Sequence, residues 1–66
     1  MAVAKVIEIT ASSPTSFAEA VKVGIAKASE TVHGIKSAWV SEEHVIVENN
    51  AVTEFRVTMR VTFILD

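Results

Sequence analysis

Apolar and polar positions alternate strictly along the last part of the chain. Phe55, Val57, Met59, Val61, Phe63 and Leu65 hold the odd positions, and Glu54, Arg56, Thr58, Arg60, Thr62 and Ile64 the even ones. A period of two predicts a long β-strand with one apolar and one largely polar face. Near the start, Val3, Lys5, Ile7 and Ile9 alternate with Ala4, Val6, Glu8 and Thr10, a strand with β-branched residues on both faces. Ala11 to Thr15, with Ser12, Ser13 and Pro14, reads as a loop. The period then changes. Phe17, Val21, Gly24, Ile25, Ala28 and Val32 form a stripe at helical spacing, with Lys22, Lys27, Ser29 and Glu30 off it. Ser16-Phe17-Ala18-Glu19 fits a capping box, Ser16 capping and Glu19 reaching back. The helix is expected to reach about Val32, with Gly34 free to adopt the left-handed conformation past its end. Ile35 to Glu48 reads as a second, less regular strand, and Asn49-Asn50 as a tight turn, because Asn tolerates positive φ.

The order β-α-β-β predicts an α+β fold, a three-stranded antiparallel sheet packed on one helix, forming a single domain over residues 1–66. Phe17, Val21, Ile25, Phe55, Val57, Met59 and Val61 are the expected core. One helix covers one face of the sheet and leaves the other without a partner. A two-residue turn at Asn49-Asn50 would set Ser37 opposite Thr62, Trp39 opposite Arg60, Ser41 opposite Thr58 and Glu43 opposite Arg56, all on the uncovered face. Trp39 and Arg60 then suit a cation–π contact, and Glu43 and Arg56 a cross-strand ion pair. Alternation fails between Ser41 and Val45, where this register turns Glu42 and His44 toward the helix. A β-bulge in that stretch restores the pattern.

Composition sharpens this picture. The chain has 66 residues, half of them apolar, and no cysteine. So small a domain buries only about 60% of the surface its unfolded chain exposes, and it has no disulfide or CxxC site to staple it. Oligomerisation is the expected remedy. The formal charge of −2 comes without a basic stripe or interleaved aromatics, which argues against nucleic-acid binding. No apolar run approaches the ~18 residues of a membrane span. The first residues lack the pattern of a secretory signal. The expectation is a cytoplasmic protein with no membrane partner.

Three segments carry a resemblance. Lys5-Val6-Ile7-Glu8-Ile9, Ser12-Ser13-Pro14-Thr15-Ser16, and Phe55-Arg56-Val57-Thr58-Met59-Arg60-Val61-Thr62-Phe63 resemble the dodecins, small β-α-β-β proteins that assemble as hollow twelve-subunit shells. The resemblance implies a homododecamer and a role in storing or buffering flavin, whether riboflavin, FMN or FAD. In flavin-binding dodecins the ring stacks on a tryptophan early in the second strand and meets a glutamine in the third. Aligned without gaps, those positions hold Ser37 and Arg56 here. The basic residue often near a flavin phosphate falls on His44, and the usual C-terminal arginine on Ile64. Trp39 lies two residues after the family's tryptophan position, hence on the same sheet face. The resemblance therefore implies an altered, weaker flavin site.

Other roles compete at the same positions. Trp39, Arg60 and Thr58 suit an interface between subunits. Arg56 suits an ion pair with Glu43 or with another subunit, and His44 suits a solvated position. Glu42, Glu43 and Glu48 offer oxygen ligands for a hard cation. Some dodecins lacking the tryptophan and glutamine bind calcium, so the resemblance leaves a calcium-binding or purely structural shell as the alternative. No residue set resembles a nucleophile with its base or an acid/base pair, which argues against an enzyme.

Overall fold

A computed structural model describes residues 3–65. Strand β1 (Val3–Ser13) leads into helix α1 (Phe17–Ala28), and strands β2 (Ile35–Glu48) and β3 (Ala51–Leu65) close the chain as a hairpin. The strand order is β1-β3-β2, antiparallel throughout. The alternating strand therefore becomes the centre of the sheet, where its apolar row finds cover. This is the expected β-α-β-β fold.

Local chemistry sets the boundaries. Ser16 is extended, and its Oγ accepts from the Glu19 amide at 3.0 Å, so the Ser16 half of the expected capping box starts α1, while among the described residues the Glu19 carboxylate does not reach back to it. β1 runs three residues past its expected end. Its extra residues, Ala11, Ser12 and Ser13, pair with Val57, Arg56 and Phe55. Ser13, the buried polar residue there, is satisfied by Thr15: its Oγ accepts from the Thr15 amide at 3.1 Å and lies 2.9 Å from Thr15 Oγ1. The helix stops four residues before Val32. Ser29 caps it, and its Oγ donates to the Ile25 carbonyl at 2.7 Å. The amides of Glu30 and Thr31 then bond the carbonyls three residues back, tightening the last turn. Gly34 does have a left-handed φ of 77°, but it opens β2 instead of ending α1. Its carbonyl accepts from the Ile64 amide at 3.1 Å. Asn49 and Asn50, with φ of 53° and 61°, form the expected two-residue turn of the type that suits strand twist.

The core lies between α1 and the central strand. Val57, Met59, Val61 and Ala20 are fully buried. Ile7, Ile9, Ala11, Phe17, Val21, Ile25, Ile35 and Val40 pack around them partly exposed. Phe17, Val21, Ile25 and Phe55 thus rim the core instead of filling it, and Phe17 meets Phe55 edge-to-face with centroids 5.2 Å apart. Gly24 sets the depth of the helix. A Cβ there would stand 2.8 Å from both Ala11 Cβ and Met59 Cε.

Two expected outcomes check this packing. Met59→Ala should cost about 2–5 kcal/mol of unfolding free energy through lost transfer energy and a residual cavity. Gly24→Ala should lower the melting temperature. The usual helix gain of about 1 kcal/mol is outweighed by overpacking of about 1–3 kcal/mol against Ala11, whose short side chain cannot swing away. Thermal unfolding of both variants measures these effects.

Candidate functional site on the open face of the sheet

The face away from α1 is built from rows that cross all three strands. Val6, Thr62 and Ser37 form one row, Glu8, Arg60 and Trp39 the next, then Thr10, Thr58 and Glu42, then Ser12, Arg56 and His44. The expected pairs Ser37/Thr62 and Trp39/Arg60 are present. Beyond them the register departs from expectation. β2 bulges between Val40 and Glu42, so Glu42 faces Thr58, and His44, not Glu43, faces Arg56. Glu42 and His44 therefore lie on the open face, and Glu43 shares the helix side with Val57. A second irregularity, between Ile46 and Val47, restores the original register at the turn. A hydroxyl bridges the strands at each of these two points: Ser41 Oγ donates to the Thr58 carbonyl at 3.1 Å, and Thr53 Oγ1 to the Ile46 carbonyl at 3.3 Å.

Trp39 is 69% exposed, and the Arg60 guanidinium lies over it, 5.6 Å from the ring centroid. Val6, Ser37, Ala38, Trp39, Arg60 and Thr62 enclose an open hollow of about 600 Å³. The expected site residues Ser37 and Trp39 thus meet here. Arg56 and His44 do not join them. Arg56 stands six residues from Thr62 along β3, roughly 20 Å at strand rise, so one chain does not bring Ser37 and Arg56 together. The expected Glu43–Arg56 ion pair is replaced by one with Glu54, at 3.4 Å. Glu54 lies two residues before Arg56 on the same strand face, whereas the bulge has turned Glu43 away. Thr58 Oγ1 lies 3.4 Å from Thr10 Oγ1, too long for a strong hydrogen bond. Glu42, Glu43 and Glu48 are split between the two faces and the hairpin end. Among the described residues no three acidic or histidine side chains gather as a metal site.

Val6 and Ala38 are hollow residues that the sequence pattern does not single out, whereas Thr62 is expected opposite Ser37. The alternation of β1 and β3 carries the signal for Val6 and Thr62, once β1 is known to pair with β3. A second hollow, about 630 Å³, lies between α1 and the outer part of β1, against Ile9, Ala11, Val23 and Ala28. It has no aromatic platform, and its Lys27 is engaged with Glu30 at 3.5 Å. The chemistry sits on the other face. Among the described residues no helix is long and apolar enough to cross a membrane.

The dodecin family model matches residues 3–66. This chain belongs to the dodecin family. The calcium dodecin of Mycobacterium tuberculosis is 33% identical over 63 residues, covering 96% of this chain and 89% of that protein. The dodecin from Streptomyces davaonensis superimposes with a TM-score of 0.95 at 31% identity, over 98% of this chain and 96% of its own. The crystal structure of the M. tuberculosis calcium dodecin, described as calcium-chelating with a novel calcium-binding site, gives a TM-score of 0.85 at 31% identity, over 97% and 91% of the two chains. On its open face this dodecin carries a tryptophan–arginine row.

The strength of that row is measurable. A double-mutant cycle over Trp39→Ala and Arg60→Ala should return a coupling of about 0.5–1 kcal/mol, the range for an exposed cation–π pair. Chemical denaturation of the four proteins gives the value, and a coupling near zero would show that the contact does not persist in solution.

Proposed function

We propose that this chain is a non-enzymatic, cytoplasmic dodecin-type subunit whose hollow homododecamer binds and sequesters a small planar ligand on the open face of the sheet. The exposed Trp39 beside its hollow carries this reading. A largely exposed indole on an uncovered sheet face suits a stacking platform or a subunit contact, and a shell lined by such faces supplies both. Family membership supports assembly, and so does the shape of the subunit. The hairpin end of β2 and β3 reaches past the end of β1 and exposes Val47 and Val52. A two-stranded ribbon is marginal alone in water and gains by packing on neighbours. Light scattering should report twelve chains. A stable monomer or dimer at micromolar concentration would overturn the assembly.

Flavin is the ligand the family resemblance implies, bound weakly here. Ser37 supplies no stacking surface, and Arg56 replaces an amide with a donor-only cation held by Glu54. Because Ser37 and Arg56 lie far apart in one chain, a site using both needs two subunits. Trp39 offers the aromatic surface one step along the strand. Ser37→Trp combined with Arg56→Gln should raise riboflavin affinity about ten-fold or more, since each ~1.4 kcal/mol is a factor of ten. Fluorescence titration with riboflavin and FMN measures it. Riboflavin bound as tightly by the native protein as by the double variant would overturn the altered-site reading.

The kinship with a calcium dodecin favours a second reading, a calcium-binding shell. Glu42, Glu43 and Glu48 do not converge within one subunit, so a site built from them requires carboxylates from neighbouring chains. Isothermal titration with calcium tests this. Saturable heat that is lost in Glu42→Gln, with no flavin binding, would favour the cation reading over the flavin one.

A further inference from the structure

Arg60 is the charged residue lining the Trp39 hollow. Arg56 is engaged with Glu54 and Lys27 with Glu30, but Arg60 has no ion-pair partner among the described residues. Glu8 faces it directly from β1, yet the guanidinium leans the other way, over Trp39. At 5.6 Å from the ring centroid it lies near the ~6 Å limit of a cation–π contact, so a better partner displaces it at little cost. Beside this pair, the Ser37 and Thr62 side chains are short, which leaves a low floor along one edge of the indole.

We infer that the hollow selects planar aromatic acids over neutral rings of the same shape, with Arg60 as the specificity-determining residue. The inference rests on the reading of Trp39 as a stacking platform and adds the chemical class of the ligand. A ring stacked on Trp39 above the Ser37–Thr62 floor carries its edge substituents toward the guanidinium. A carboxylate there accepts from the planar fork, and charge-assisted bonds of this kind are roughly twice as strong as neutral ones. A carboxamide in the same place presents one acceptor and two donors to a group that only donates. Ser37 and Thr62 hydroxyls donate or accept, so they hold either substituent and do not discriminate. Glu8, on the far side of Arg60, keeps the row neutral overall and opposes an anion that spreads toward β1. It therefore confines the acid to the Trp39 side.

The test is equilibrium dialysis of the assembled protein with 2-naphthoate and 2-naphthamide, two probes of one shape that differ in charge. The native protein should prefer the acid by about ten-fold, equivalent to ~1.4 kcal/mol. Arg60→Gln should bring the two affinities close to parity by weakening the acid far more than the amide. Arg60→Lys should keep part of the preference, since the charge remains and the fork is lost. Trp39→Ala should weaken both probes. Equal native affinities, with both lost in Trp39→Ala, would overturn the role of Arg60 and leave the stacking platform standing. Failure of the native protein to bind either probe would overturn the platform and the inference together.

Discussion

The close approach of α1 to the sheet at Gly24 is the constraint on which the rest depends. With no side chain at that position the helix settles onto Ala11 and Met59, and the row Val57, Met59 and Val61 loses all its exposure. One short helix can do this for one face only. It lies over β1 and β3, so β2 stays largely exposed along its length. Trp39 is open because it belongs to that strand and points away from the helix. The uncovered face is a direct result of where a single twelve-residue helix can sit.

The two arginines on this face behave differently for a reason that lies in their immediate neighbours. On a strand, residues two apart share a face. Arg56 has Glu54 at that distance and is held by it at 3.4 Å. Arg60 has Thr58 and Thr62, neither charged, and turns across to the indole. The same spacing rule that makes the strand amphipathic thus decides which guanidinium is engaged and which is available.

Much of the fold was legible. The period of β3, the Ser16 cap and the Asn49-Asn50 turn are local signals, and local signals survive folding. The end of α1 was not, because the stripe continues to Val32 while the backbone tightens after Ala28 and Ser29 takes its last carbonyl. β1 was read too short, since Ser12 and Ser13 are turn-forming residues that pairing with Arg56 and Phe55 holds extended. On the open face, the Trp39–Arg60 and Ser37–Thr62 pairs followed from the turn by counting. Counted from the turn, Glu43 and His44 exchange faces because an extra residue in β3, Thr53, shifts the register, which the β2 bulge at Ser41 then shifts back. The broken alternation located that bulge, but counting from the turn did not include it. The hollow itself required β1, whose alignment with β3 no short-range pattern in the chain specifies.

The paired bulges in β2 and β3 have a consequence for comparing relatives. Between Glu42 and Ile46 the hairpin runs one step out of phase with the paired stretches on either side, Ser37 to Val40 and Val47 to Glu48. Two chains of equal length can therefore match perfectly at both termini and still differ, within this window, in which side chains face the open surface. Sequence alignment is blind to that difference, because nothing is inserted or deleted. Family ancestry fixes the positions of the ends, while the slip between strands decides whether a given carboxylate or imidazole reaches the surface where ligands and neighbouring subunits meet it.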